Sequence, residues 1–372
     1  MTTLNVPATR AWIISDTHFG VRNNSKEWME IIDDYFHNFL IPLIKSEHKP
    51  GDILIHCGDT FDSRQSINLY IMNKGQEIIE ALADILPVYI IIGNHDIFMK
   101  HTNEINSMKL FKHTKNVTVF ENPQLVNFGK STGMFLPWVE EEDELREFVQ
   151  NPKNKADLLF CHTDVRGVSF SRNVKVEEGN EAEVFNNYTQ VYSGHIHYTQ
   201  KYKNIRMVGS PYQLTRSDAG NIKSVWRVDL ETLEETSWEN TRSPKFLRYR
   251  LEWLLEQNIE TIQRLFANNF VDIHMTPQWS LKFPFAVFMD KLSGYRKINH
   301  VIITEEEGEK VEDDIEGDIE NPDSISIVKL IETYVNELAY TSSIKERLIK
   351  TSTGIYHETL RDMEKNNEMI IN

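Results

Sequence analysis

Five apolar runs in this chain each stop at polar side chains, and nothing else in the sequence constrains its fold as much. "IISDTHFG" leads into Asp16 and His18, and "LIHCGDTFD" into Asp59 and Asp62. "IIIGNHD" leads into Asn94, His95 and Asp96, "LLFCHTD" into His162, and "VYSGHIH" into His195 and His197. Each run has the length and composition of a buried strand. In open α/β sheets the carboxyl ends of the strands form the crevice where ligands bind. Five strand ends furnished in this way are expected to converge on one site.

Helices are expected between the first three runs. Residues 26–46 repeat apolar side chains at helical spacing (Trp28, Ile31, Ile32, Tyr35, Phe36, Phe39, Leu40), and 66–85 read as a second helix. The first 95 residues therefore run β-α-β-α-β, which predicts a sheet with helices on its faces. From about 117 to 240 short strands dominate ("VTVFE", "GMFLPW", "DLLFCH", "QVYSGH", "IRMVG", "SVWRVDL"), as in a second sheet packed on the first. "RSPK", 242–245, reads as a linker, and 246–304 as a small α/β unit with a strand at 246–253, a helix at 257–268 and a strand at 301–304. The acidic run 305–320 has few large apolar residues and is expected to be disordered. Residues 324–367 read as two helices, one with an apolar stripe of Ile327, Leu330, Ile331, Tyr334 and Leu338, the other with Leu348, Ile355 and Leu360.

No apolar run approaches the ~18 residues of a membrane span, and the start of the chain lacks a signal-peptide pattern, so a cytoplasmic, membrane-free protein is expected. Cys57 and Cys161 each close a strand-like run and are expected to be buried thiols, not a disulfide. The net charge of −16 argues at first against nucleic acid. Yet 140–147 and 305–320 together carry −14, so the remainder is nearly balanced. Bound divalent metals would add positive charge that this count misses.

The residue types suit two metals. A D-x-H or H-x-H pair on extended backbone directs both side chains to one face. A carboxylate such as Asp59 can bridge two cations, while Asn94 offers a neutral oxygen. Mixed carboxylate, amide and imidazole donors suit manganese, iron or zinc better than calcium. Two ions about 3.5–4 Å apart can hold a bridging hydroxide and clamp a phosphate ester for in-line attack. A single Asp or His at a strand end is ordinarily a cap or turn residue; five such ends in succession are not. "FGKST", 128–132, is not read as a phosphate-binding loop, because Gln124 stands where the first glycine is required and a strand follows.

In this order and at these separations, D-x-H, G-D-x-x-D, G-N-H-D, a single His and G-H-x-H resemble the calcineurin-like metallophosphoesterase superfamily. The resemblance implies an α+β fold, a four-layer α/β/β/α sandwich. It implies that Asp16, His18 and His197 hold one divalent metal, that Asn94, His162 and His195 hold the other, and that Asp59 bridges them. Manganese is the expected ion, with Mg2+, Fe2+ or Zn2+ as alternatives. His95 would stand beside the substrate phosphate, as acid to the leaving oxygen or as stabiliser of the transition state, with Asp96 orienting it. Gly93 would permit the sharp exit from its strand.

Protein phosphatases of this fold carry Arg-Gly after G-D-x-x-D, whereas this chain has "GDTFDSRQ". "SDTHFG" is similar to the S-D-W-H-L-G start of the SbcD-type DNA repair nucleases, with Thr17 in place of Trp. "GHIHYTQKYKNIRMVGSPYQLT" resembles their G-H-x-H block with its following strand and Gly209-Ser210-Pro211. Size, "FLPW" at 135–138 and the acidic run are most similar to the T-even phage members, which would place the protein in the host cytoplasm. This resemblance implies a nuclease domain at 1–241, a DNA-binding capping domain at 242–304, an acidic linker at 305–322 and C-terminal helices at 323–372 that bind an SMC-type ATPase. It implies a homodimeric exonuclease and endonuclease subunit acting on DNA in recombination, repair and replication. The alternatives are a phosphodiesterase for a cyclic nucleotide or other small ester, and a non-catalytic scaffold of the same fold. Phe19, Phe61 and Phe98 would either stack on bases or wall the pocket.

Overall fold

In a computed structural model of the chain, the residues described are 2–99, 101–172, 174–276, 278–279, 287, 298–302, 345, 347–351 and 353. The chain divides into two compact units, Met1–Glu316 and Gly317–Asn372. The first holds two large sheets. One has six strands in the order Glu235–Glu239, Ser224–Asp229, Arg10–Ile14, Asp52–His56, Val88–Ile91, Val117–Phe120. The last four run parallel, and Ile14, His56 and Ile90 lie in register across three of them. Their carboxyl ends are therefore level, which brings the loops carrying Asp16, Asp59 and Asn94 side by side.

These strands read as unbroken apolar runs because both faces are covered. Trp12, Ile14, Leu54, Val88 and Ile90 face the helices, while Ala11, Ile13, Ile53, Ile55, Tyr89 and Ile91 face the second sheet. That sheet has seven strands in the order Leu4–Asn5, Gln124–Asn127, Thr132–Leu136, Leu158–His162, Gln190–Gly194, Ile205–Met207, Gln200–Tyr202. Phe135, Phe160 and Tyr192 fill the space between the sheets. On the outer face Met134, Leu159, Cys161 and Val191 pack with Leu145 and Val149 of the helix Glu142–Gln150. The result is the four-layer α/β/β/α sandwich expected from the motifs. Cys57 and Cys161 are buried free thiols.

The helix expected over 26–46 contains a π turn, Phe36–Leu40, between Lys26–Tyr35 and Ile41–Glu47. Pro42 follows two residues after Leu40. It cannot donate to the carbonyl four residues back, and the wider turn makes room for its ring. The second helix runs Leu69–Ala83, with Asn68 accepting from the Ile71 N–H at 2.9 Å as its N-cap. The segment 128–132 is a hairpin turn in which the Phe128 N–H donates to the Ser131 carbonyl at 2.9 Å, so no phosphate loop forms there.

A third, parallel sheet is built from Phe246–Arg250, Phe270–Met275 and Ile298–Ile302. The first strand is shorter than expected, because Leu251–Leu255 turns helical and buries Leu251 and Leu254. The last begins earlier than the expected 301–304. The central strand has no counterpart in the sequence reading: Asp272 and His274 interrupt its apolar run, yet both are buried. Trp28 stacks on Phe270 at 5.3 Å and on Phe246 at 6.3 Å, joining this sheet to the main core. The helix expected at 257–268 runs Ile259–Phe266.

The linker 305–322 lies outside the described residues, as does most of 323–372; residues 345, 347–351 and 353 are helical. Among the described residues no helix is long and apolar enough to cross a membrane.

Candidate metal centre

The strand-end loops fasten onto one another before any ligand is counted. The Asp16 N–H donates to the Gly58 carbonyl at 3.0 Å, and the His18 N–H to the Asp59 carbonyl at 3.1 Å. Between them the Thr17 hydroxyl donates to the Thr60 carbonyl at 3.1 Å and accepts from His56 Nε2 at 2.9 Å. The Tyr212 hydroxyl donates to the Thr17 carbonyl. Asp16, His18 and Asp59 all have left-handed backbone, with φ of 51°, 45° and 56°. Asp16 and His18 thus reach one side through tight turns, not through the period of an extended strand. Such φ values are costly for residues other than glycine and persist where the surroundings enforce them.

Close approach explains Gly93. Its φ is not positive, contrary to the expectation of a sharp exit, but a Cβ there would lie 2.2 Å from Asp59 Oδ1 and 2.4 Å from the Asp59 nitrogen. The strand ends of Asp59 and Asn94 can come this near only with no side chain at 93.

All seven expected ligands meet here. In one group, His18 Nε2 and His197 Nε2 are 3.0 Å apart, and Asp16 Oδ1 is 3.9 Å from His197 Nε2. Asp16 Oδ1 accepts from the His195 N–H at 3.0 Å, while Oδ2 is buried without a partner. In the other group, His162 Nε2 and His195 Nδ1 each lie 2.9 Å from the Asn94 side-chain amide. Asp59 Oδ2 sits between the groups, 3.2 Å from His162 Nε2 and 3.7 Å from His18 Nε2.

The tautomers are set from behind. His162 Nδ1–H donates to the Cys57 carbonyl at 2.7 Å, and His195 Nε2 meets Asp164 Oδ1 at 3.1 Å. In its neutral form each leaves a ring lone pair facing Asn94, the arrangement in which carboxylate or carbonyl partners orient metal-binding imidazoles. With both rings neutral and no cation, the Asn94 amide is best turned to donate its NH2 to both at 2.9 Å, with Oδ1 accepting from Arg64 at 2.8 Å; a protonated His162 reverses this and donates from Nε2 to Asn94 Oδ1 at 2.9 Å. A cation would favour the opposite face of the amide. The converging lone pairs, the orphaned Asp16 oxygen and the mixed donor set all fit divalent metals.

Charge supports the same reading. Burial opposes charge on His18 and His162, but the surrounding carboxylates, Asp59 foremost for His162 and Asp62 for His18, push both up to about 9. Burial and the neighbouring His18 charge push His197 down to about 4. Burial would raise the Asp59 carboxyl, yet His162, His95 and His18 hold it well below the usual carboxylate range. The metal-free centre therefore carries protons on His18 and His162 at neutral pH. A metal must displace them. Affinity for Mn2+ is expected to rise with pH up to about 9, by about tenfold per pH unit for each proton displaced. Calorimetry at pH 7 in buffers of different ionisation enthalpy should register proton release; metal binding without it would contradict this charge assignment.

His95 stands edge-on to His18, ring centres 4.9 Å apart. Its Nδ1–H donates to the Asp62 carbonyl at 2.6 Å, so the backbone at Asp62 orients this ring. Asp96 does not, contrary to expectation. Its buried carboxylate accepts from the N–H groups of Gly93, Thr60 and Phe61 at 3.0, 3.0 and 3.2 Å, tying two strand-end loops together. Three contributors escaped the sequence reading. Asp164 follows His162 by two residues, and Asp62, noted only as a strand-end acid, lies 3.2 Å from His18 Nδ1. Buried Lys223 donates to the His197 carbonyl at 2.7 Å and to Asp218 at 2.6 Å. Phe19 and Phe61 are fully buried and pack against each other, so they wall the centre from beneath; Phe98 is half exposed.

The chain is 27% identical to "Exonuclease subunit 1" of Enterobacteria phage T4, over 93% of this chain and 98% of that protein. Among solved structures, an archaeal phosphodiesterase is 13% identical with a TM-score of 0.34, covering 62% of this chain and 99% of that one. A 5'-nucleotidase precursor from Thermus thermophilus is 10% identical with a TM-score of 0.34, covering 62% of this chain and 54% of that one. The sequence profile of the calcineurin-like phosphoesterases matches residues 9–199, the span that carries all five strand ends. That family uses divalent metals to hydrolyse phosphoesters, and the chain belongs to it.

Proposed function

We propose that this protein is the nuclease subunit of a DNA-processing complex, hydrolysing phosphodiester bonds with two divalent cations. The observation that carries the reading is the position of Asp59 between two sets of converging donors. Asp16, His18 and His197 would hold one cation, and Asn94, His162 and His195 the other, with Asp59 shared. When bound, the cations supply Lewis-acid charge for the phosphate and activate water. His95, held by its Nδ1–H, would present its other nitrogen to the leaving oxygen. Lys223 and Asp218 brace the backbone of His197, and Asp164 fixes His195. DNA is the proposed substrate because the likeness to the phage exonuclease subunit runs nearly end to end in both chains.

That relative is named as a subunit, and in the sequence the apolar spacing of Ile327, Leu330, Ile331, Tyr334 and Leu338 would suit a partner helix or coiled coil. An SMC-type ATPase is the proposed partner, with the 242–304 segment as the capping domain. A homodimer is the proposed assembly. Truncation after Glu320 is expected to leave a folded, metal-binding phosphodiesterase that no longer associates with the ATPase. Pull-down of that ATPase at full-length affinity by the truncated chain would contradict the assignment.

The nuclease reading itself is tested by purified protein with Mn2+ on linear duplex DNA, single-stranded DNA and bis-p-nitrophenyl phosphate. Cleavage of DNA is expected. Hydrolysis of the small ester with intact DNA would point to a small-molecule phosphodiesterase.

A further inference from the structure

A sixth strand end stands at the centre and carries no candidate ligand. The strand Thr132–Leu136 runs parallel to Leu158–His162, with Leu136 opposite Cys161, so its carboxyl end is level with the one that delivers His162. Pro137 and Trp138 follow it, closing the "FLPW" run, for which the metal chemistry has no use.

Trp138 is held firmly in place. Its backbone N–H donates to the Ile92 carbonyl at 2.8 Å, which ties it to the strand end that leads into Asn94. Its indole N–H donates to Glu140 Oε2 at 3.0 Å. The ring centre lies 5.0 Å from that of His195, with the planes at 36°, and 6.0 Å from that of His162, edge-on at 72°. This half-buried indole therefore stands against the donor set of Asn94, His162 and His195.

The same ring lines a cavity of about 380 Å³, a volume within the range of small-molecule sites. Leu136 and Phe148 add apolar surface to its wall. Four carboxylates, those of Glu121, Glu140, Glu141 and Glu144, add acceptors, and no lysine or arginine is among its described lining residues. Like charge keeps backbone phosphates out of such a cavity. A flat, uncharged group with N–H donors is favoured there instead. A nucleobase is such a group, because every base has a face that stacks on an aromatic ring. Cytosine and adenine also carry an amino group that a carboxylate can accept from, whereas thymine presents an oxygen and a methyl at that edge. Trp138 borders both the cavity and the donor set, so one short stretch of strand can place its base in the first and its phosphate at the second.

We propose that the cavity at Trp138 receives a nucleobase next to the scissile bond, stacked on the indole while the phosphate lies at the metals. The site rests on the nuclease reading and deepens it, since it names what the protein recognises besides the phosphate. It also sets a preference for bases with an exocyclic amino group over thymine.

Steady-state cleavage of short single-stranded oligonucleotides by the full chain with Mn2+ tests this, with product lengths resolved. The oligonucleotides carry cytosine, thymine or no base at the nucleotide on either side of the cleaved bond. On one side, loss of the base is expected to lower kcat/KM by about 5–150-fold, the worth of one base–aromatic stack. Cytosine there should be cut faster than thymine. In Trp138→Ala, base-bearing and abasic strands should be cut nearly alike, and Trp138→Phe, which keeps a flat ring, should restore part of the difference. A tryptophan that only packs on His195 would lower both rates together and leave their ratio as in the wild type, which overturns the base site. Equal cleavage of base-bearing and abasic strands by the wild-type protein, on both sides of the bond, overturns it as well. Thymine cut as fast as cytosine removes the carboxylate preference and leaves the stack. If the wild-type protein hydrolyses bis-p-nitrophenyl phosphate but cleaves none of the oligonucleotides, the base site and the nuclease reading fall together.

Discussion

Asp59→Asn is expected to leave a folded protein that has lost one of two metals and nearly all phosphodiesterase activity. The amide keeps the shape of the carboxylate, so the packing around it survives. It removes the charge that His162 and His18 face at 3.2 and 3.7 Å, and it can put an N–H where an oxygen would face both proposed cations. Lewis-acid stabilisation is worth several kcal/mol, so a loss on the order of 10³–10⁴-fold follows from one missing metal. Elemental analysis and a thermal melt distinguish this from misfolding. Two ions per chain with normal turnover in Asp59→Asn would remove Asp59 from its bridging role.

His95→Ala should behave differently. Its ring clusters with His18 and Asp62 but belongs to neither proposed donor set, and its hold is the Asp62 carbonyl. Both metals should remain. Positioned proton transfer typically contributes about 10²–10⁴-fold in rate, and DNA cleavage should fall within that range. Esters with good leaving groups need less protonation and should lose less. An equal loss on DNA and on a p-nitrophenyl ester would show that His95 stabilises charge on the phosphate instead of protonating the leaving oxygen.

The gathering of these side chains was legible in the sequence because each candidate ligand sits within a few residues of a strand end. Strand and ligand are encoded together, and the parallel register of Ile14, His56 and Ile90 does the rest. What was not legible depends on distance or on backbone shape. Lys223 braces His197 from 26 residues away, and no local pattern announces it. Asp96 adjoins His95 in sequence, but the loop turns its carboxylate onto three N–H groups, so adjacency misled. The left-handed turns at Asp16 and His18 place the same side chains together by a route that strand periodicity cannot describe. In the third sheet, Asp272 and His274 gave a buried strand a polar look, because the partner that compensates Asp272, Arg216, lies 56 residues away. The π turn at Phe36–Leu40 was hidden for another reason: its apolar spacing is close enough to that of an α-helix to read as one.

Electron paramagnetic resonance of the Mn2+-loaded protein tests the central claim most directly. Two manganese ions about 3.5–4 Å apart and sharing the Asp59 carboxylate should be exchange-coupled. The expected result is a multiline dinuclear spectrum at two ions per chain, collapsing to a six-line mononuclear signal in Asp59→Asn. A single six-line signal from the fully loaded wild-type protein would contradict the account, since it would mean that these strand ends do not build one two-metal centre.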